Sequence, residues 1–116
     1  YLAVNTNKEE DIARKVVERF FPYWGFSWVV GSSALMPKKP DQSGARMIAN
    51  KLGVLPEECI YIGDSEVDIM TAKNANMHSV GVLWGFRTEN ELIQAGAQSI
   101  IRRPLELLSV LGLERI

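Results

Sequence analysis

The feature that most constrains this chain is a repeated change of hydrophobic period. Short apolar runs at 2–5, 26–30, 59–62, 79–83 and 99–101 alternate with stretches whose apolar residues recur every three or four positions. The runs are expected strands and the periodic stretches expected helices. In the stretch 8–21, Ile12, Ala13, Val16, Val17 and Phe20 share one face, and Pro22 and Gly25 follow as stops. Ala45, Ile48, Ala49 and Leu52 mark a second helix, with Gly53 as its stop. A third is expected over 67–75. Thr88 is the expected N-cap of a short fourth through Leu92 and Ile93, and Pro104 opens a last one with Leu105, Leu108 and Leu111 on one side. Such alternation implies an α/β domain built on a parallel sheet. Ligands of such sheets bind beyond the carboxyl ends of the strands. That rule selects Thr6-Asn7, Ser32-Ser33, Gly63-Asp64 and Trp84-Gly85 as candidate site loops.

Length and charge narrow the classes further. At 116 residues the chain suits one small domain, with no second. Net charge is −1 and no Lys/Arg run exceeds two residues, so neither a nucleic-acid stripe nor a membrane-surface patch is expected. No apolar run approaches the ~20 residues of a membrane span. Cys59 is the only cysteine, which precludes an internal disulfide and suits a reducing, cytoplasmic setting. No signal peptide is visible. The chain starts at Tyr1, without Met and already in an apolar run, which suggests that an upstream segment has been removed.

Several residues could carry chemistry. Asp64 and Asp68 lie four apart where a strand end enters a helix. Two carboxylates so placed can face one point and suit a hard cation such as Mg²⁺. Equally, Asp64 could cap the helix while Asp68 favours its dipole from solvent. An EF-hand is excluded, because Ile69 stands where the loop needs Gly and Ala75 where it needs Glu. Thr6 and Asn7, between a strand and a helix, could bind an anion through hydroxyl and backbone N–H groups, or simply cap the helix. Lys39, in Lys38-Lys39-Pro40-Asp41, could present a fixed positive charge of the kind phosphoryl transfer requires; a solvated loop lysine is the bland alternative. His78 reads as exposed, Cys59 as a core residue, and Trp84 and Phe86 as packing or pocket lining. Phe20, Phe21, Tyr23 and Trp24 read as core or as a surface that meets another segment.

The order of these signals is more specific than any one of them. A strand followed by Thr6-Asn7-Lys8, then Lys39-Pro40-Asp41, then Gly63-Asp64-x3-Asp68 resembles motifs II, III and IV of the haloacid dehalogenase superfamily. Leu2-Ala3-Val4-Asn5-Thr6-Asn7-Lys8, Tyr61 to Ile69, Ala72 to Met77 and Val80 to Arg87 look like the phosphoglycolate-phosphatase-like members, so the resemblance covers nearly the whole chain. It implies a three-layer, Rossmann-like core and a Mg²⁺-dependent phosphomonoester hydrolase acting on a small phosphorylated metabolite through an aspartyl-phosphate intermediate. In that scheme Thr6 bonds a phosphoryl oxygen and Asn7 contributes its backbone N–H. Lys39 offsets charge, Asp64 ligates the metal, and Asp68 supports the metal directly or through water or pairs with Lys39.

Departures qualify the likeness. Gln42 stands where this group often has proline, and Asn76 where it often has glycine. The family's first strand, with its D-x-D-G-T-like stretch carrying the nucleophile, has no counterpart here, nor has the cap domain. The expectation is therefore a partial core, residues 1–116, carrying motifs II–IV and inactive alone. In the family the nucleophile strand lies between the strands matching 2–5 and 59–62. Three arrangements could satisfy the edges so exposed: a separate segment, a strand from another chain, or direct pairing of the two strands. The alternative functional class is a noncatalytic binding or receiver-like module, although a receiver needs acidic residues at the end of its first strand and 1–5 supplies none. A metal-free dehalogenase-type member is disfavoured by the Asp64/Asp68 pair.

Overall fold

The computed structural model describes residues 1–113. In chain order it holds β1 (Ala3–Glu9), α1 (Glu10–Phe20), β2 (Trp28–Ser32), α2 (Ser43–Leu52), β3 (Ile60–Gly63), α3 (Glu66–Ala75), β4 (His78–Val82), α4 (Glu89–Gln94), β5 (Ser99–Ile101) and α5 (Leu107–Val110). The fold is α/β, and its strand pairs are parallel. The strands form two sheets, β1-β2 and β3-β4-β5. β1 and β3 are not paired with each other, so the third of the expected arrangements is not adopted. No described helix is long and apolar enough to cross a membrane.

Side-chain alternation along the strands separates two apolar layers. Tyr61 packs on one side, against the cluster of Ala45, Ala49, Ala72, Ala75 and Met77 that joins α2 to α3. Ile60, Val80, Val82 and Ile101 pack on the other side, against Leu107 and Val110 of α5. The α2–α3 contact is made almost wholly of alanines. Small side chains let the two helix backbones approach closely, which brings the loop before α2 near the first turn of α3.

Several helix ends follow the sequence. Gly53 closes α2 in the left-handed region at φ 69°. Asn76 closes α3 in the same way at φ 64°, which explains a tolerated non-glycine at this position, since Asn accepts that conformation better than most residues. Thr88 caps α4, accepting from the Glu91 N–H. Gln42 precedes α2 without a side-chain cap bond, and Asp41 Oδ1 instead accepts from the Ser43 N–H at 2.7 Å.

The main departure is at the first element. The strand expected over 2–5 continues to Glu9, and the helix expected from residue 8 begins only at Glu10. The pairings of Asn5 with Val30 and of Glu9 with Ser32 hold the polar run Thr6-Asn7-Lys8 extended between them, across an irregularity in register. Thr6 therefore does not cap a helix; its Oγ1 accepts from the Lys8 N–H at 3.2 Å. The apolar face of α1 is also less covered than its periodicity suggests. Ala13 is buried, whereas Ile12, Val16 and Phe20 are exposed, because the sheet beneath α1 has only two strands. The last expected helix is a 3-10 turn, Pro104–Glu106, followed by the single turn of α5.

Ala72 is fully buried at the α2–α3 contact. Replacing it with Leu should overpack the interface and cost about 1–3 kcal/mol. Urea unfolding of Ala72→Leu beside Met70→Leu, an exposed position on the same helix, checks this. Equal stability of the two variants would contradict the close approach described.

Candidate active site

Chain order runs outward from β1 to β2 and, after the crossover through α2, outward from β3 through β4 to β5. The direction of winding thus reverses between β1 and β3. Such a reversal opens a crevice at the carboxyl ends of the strands. The β1 end, the loop after β2, the β3–α3 turn and the loop after β4 all contribute to this end of the molecule.

The β3–α3 turn is fixed by Ser65 and Asp68. Ser65 caps α3, and its hydroxyl donates to Asp68 Oδ2 at 3.2 Å. The same oxygen accepts from the Asp64 N–H at 3.1 Å. The other Asp68 oxygen, Oδ1, lies 2.6 Å from Lys39 Nζ. Both side chains are largely withdrawn from water, at 16% and 10% exposure, so the pair is a charge-assisted contact in a low-dielectric pocket rather than a surface bridge. Gly63 lies directly beneath: a Cβ there would overlap the Asp68 carboxyl group.

Lys39 approaches Asp68 from a loop outside any helix or strand. Its N–H donates to Asn7 Oδ1 at 2.6 Å, and its carbonyl accepts from Asn7 Nδ2 at 3.3 Å. The next carbonyl, of Pro40, accepts from Asn74 Nδ2 of α3 at 2.8 Å. The Lys39–Pro40 peptide is cis.

Asp64 differs from Asp68. Its carboxylate makes no hydrogen bond or ion pair with the described residues, and it rests against Gly85, where a Cβ would overlap it. The loop that carries Gly85 is tied to the first turn of α3 by Arg87 Nε at 2.9 Å from Glu66 Oε1. Behind the site, Asn5 Nδ2 donates to the Tyr61 hydroxyl at 3.0 Å, bridging the two sheets. Burial pushes the Tyr61 pKa well up, and the nearby Asp68 charge adds to the rise, while hydrogen bonds with Asn5 and Thr71 oppose it.

The structure thus brings together Asn7, Lys39, Asp68 and the Asp64 backbone. Thr6 is adjacent to Asn7 but makes no hydrogen bond to the others. His78 lies at the opposite end of the sheet, with Nε2 2.9 Å from Ser99 Oγ. Cys59 is half-buried against the alanine cluster, and burial raises its thiol pKa, with Glu58 and Glu57 adding to the effect. The strand-end rule selected the loop of Gly85 without foreseeing its contact with Asp64, and sequence reasoning missed Asn5, Tyr61, Ser65 and Asn74. Of these only Ser65, directly before a helix with Asp three residues on, carried a local capping signal.

The haloacid dehalogenase-like hydrolase family model matches residues 1–82, well over half of the chain. The chain belongs to this family. It is 30% identical over 103 residues to a phosphoglycolate phosphatase of Xanthomonas campestris pv. campestris, covering 88% of this chain and 47% of that protein. It is 31% identical over 112 residues to a phosphoglycolate phosphatase of Salmonella choleraesuis, covering 97% and 44%. Among solved structures, a Lactobacillus delbrueckii subsp. bulgaricus protein provisionally named a phosphoglycolate phosphatase superposes with a TM-score of 0.89 at 35% identity, covering 95% of this chain and 46% of that one. A Thermotoga maritima protein provisionally named a beta-phosphoglucomutase gives 0.81 at 27% identity, covering 96% and 51%. The chain therefore spans about half the length of the haloacid dehalogenase-like proteins it matches.

Metal fit is a question of donors. Among the described residues, no group of three or more His, Cys, Asp or Glu side chains is placed to hold a metal ion. The oxygen chemistry nevertheless suits Mg²⁺, which commonly takes one or two carboxylates and keeps several waters. Asp64 is the carboxylate without a protein partner. Asp68 is engaged on both oxygens and serves to set the Asp64 backbone.

The burial of the Tyr61 hydroxyl can be tested through pH. Tyr61 keeps its proton in the folded state above the usual tyrosine range, while the unfolded chain releases it near pH ~10. The folded state then binds more protons, so this contribution to stability is full below about pH 10 and falls as pH rises toward the raised folded value. Tyr61→Phe should flatten the alkaline loss of stability. Near neutrality it should cost about 1–3 kcal/mol by leaving the Asn5 amide unpaired. Denaturant unfolding of both proteins across this range checks the sign; parallel pH profiles would refute the burial of the Tyr61 hydroxyl.

Proposed function

We propose that this chain supplies the motif II–IV half of the core domain of a Mg²⁺-dependent phosphomonoester hydrolase, with phosphoglycolate the leading substrate by likeness to its relatives. One observation carries the reading. A lysine–aspartate pair largely withdrawn from water, Lys39–Asp68, stands at the switch point of a parallel α/β fold, beside a carboxylate, Asp64, that has no hydrogen-bond or ion-pair partner among the described residues. A structural ion pair alone would not need a free acid held next to it.

The chemistry assigns each residue a task. Lys39 offsets negative charge on the transferring phosphoryl group and on the attacking carboxylate. Thr6 donates its hydroxyl to a phosphoryl oxygen while its oxygen can still accept from the Lys8 N–H, and the Asn7 N–H is the second donor. Asp68 holds Lys39 and, through the Asp64 N–H, the turn that presents Asp64. Asp64 would hold Mg²⁺, which when bound supplies Lewis-acid charge stabilisation at the phosphoryl oxygens. The nucleophile comes from a segment outside this chain. Its carboxylate oxygen bonds to phosphorus as the P–O ester bond breaks and a second acid of the same segment protonates the departing oxygen; that group then takes a proton from water, which attacks phosphorus, returns the carboxylate and releases orthophosphate. That segment would lie between β1 and β3, whose facing edges are unpaired with each other. The partly exposed Ile62 of β3 and the bare face of α1 favour such a partner. A reducing cytoplasm suits the single free cysteine.

The chain alone should show no turnover of an aryl phosphate with Mg²⁺. Adding the segment that completes the sheet should create turnover. In that assembly Asp64→Asn and Lys39→Met should each lower kcat by about a hundredfold or more. Steady-state kinetics with released phosphate as the readout decides. Substantial turnover by the 116-residue chain alone, or full activity of Asp64→Asn, would sink the reading.

A further inference from the structure

The loop bearing Lys39 has no strand or helix to fix it, yet its ammonium group reaches Asp68 at 2.6 Å. We propose that the side-chain amides of Asn7 and Asn74 are positioning groups that clasp the Lys39-Pro40 backbone and so hold the lysine at its station. The use made of that lysine rests on the hydrolase reading above; the clasp itself does not.

The argument is one of matching groups. A primary amide carries a donor and an acceptor in one plane, so it can face a peptide as a neighbouring strand would. Asn7 does this at Lys39, accepting its N–H at 2.6 Å and donating to its carbonyl at 3.3 Å. Serine, threonine or aspartate could not supply both with the same spacing. Asn74 takes the Pro40 carbonyl at 2.8 Å. Proline has no N–H, so a single donor satisfies it. The two asparagines belong to different sheets' supports, β1 and α3, and the loop is gripped from both. Asp68 and Asn74 both belong to α3, so one helix fixes both the tip of the lysine and the backbone after it. A lysine has several freely rotating methylenes, and anchoring the backbone next to it removes the largest source of misplacement. The likeness to relatives assigns Asn7 its backbone N–H; the side-chain role is additional.

The test reads the ammonium group and not turnover, so its failure is separate from failure of the hydrolase reading. Lysine side chains are labelled with ¹⁵N in the folded chain, with the sheet-completing segment present if folding requires it. Lys39 should give a slowly exchanging ammonium signal, identified by its loss in Lys39→Arg. Asn7→Ala should speed that exchange roughly tenfold, as expected for loss of two modest hydrogen bonds. Asn74→Ala should speed it a few-fold. Asn90→Ala, at an exposed residue without such bonds, serves as the control. Thermal unfolding is recorded for each variant, because a merely structural role would lower the midpoint and leave the exchange rate unchanged. An Asn7→Ala protein that is folded at the measuring temperature and keeps the original Lys39 exchange rate overturns the proposal. If Asn7→Ala fails to fold, Asn74→Ala decides by the same criterion.

Discussion

The contact between Lys39 and Asp68 is the constraint on which the rest of the site depends. It spans 29 residues of sequence and joins the loop after β2 to the helix after β3. It therefore ties together the supports of two sheets that share no strand pairing. A buried ion pair gains little net stability against its desolvation, but removing one partner strands a charge and costs about 3–5 kcal/mol. That asymmetry makes the pair a device for arrangement more than for stability. Its surroundings bear this out: every remaining acceptor position of Asp68 that the structure shows in use is spent on the β3–α3 turn, through Ser65 and the Asp64 N–H.

How much of this was legible in the sequence depends on the range of the interaction. The alternation of periods placed all five strands to within a few residues, and the strand-end rule selected Asn7, Asp64 and their neighbours before any coordinates. Gly53 and Thr88 were legible because caps are local chemistry. The extent of β1 was not, because Thr6-Asn7-Lys8 has no intrinsic strand preference and is held extended by the pairings on either side of it, at Asn5 and Glu9. Asn74 and Tyr61 were invisible for a different reason. Each acts on a residue 34 or 56 positions away, and nothing in a single sequence distinguishes a helix-surface asparagine from one that holds a distant loop.

Small residues set the precision of the site. The alanine contact between α2 and α3 brings the lysine loop within reach of α3, and Gly63 and Gly85 leave room where side chains would collide with Asp68 and Asp64. A Cβ at Gly85 would press on the Asp64 carboxylate, so this glycine is required by space and not by backbone angle. Arg87, reaching back to Glu66, keeps that loop in place. The geometry of the two acids is thus fixed by close backbone approach, with polar contacts supplying direction.

The two acids, four residues apart on one turn, end in opposite conditions, and the difference follows from their partners. Asp68 is buried, paired with a cation and bonded on both oxygens, so moving it toward a metal would break contacts that hold the loop and the turn. Asp64 gives up its backbone N–H to Asp68 and keeps its carboxylate free. A single free carboxylate binds a strongly hydrated divalent ion weakly, since most of the coordination shell must remain water. Under the proposed function, further affinity would come from another acid and from the phosphate itself. Within the described residues the charges are unevenly matched: Lys39 is paired with Asp68, and the Asp64 carboxylate has no counter-charge.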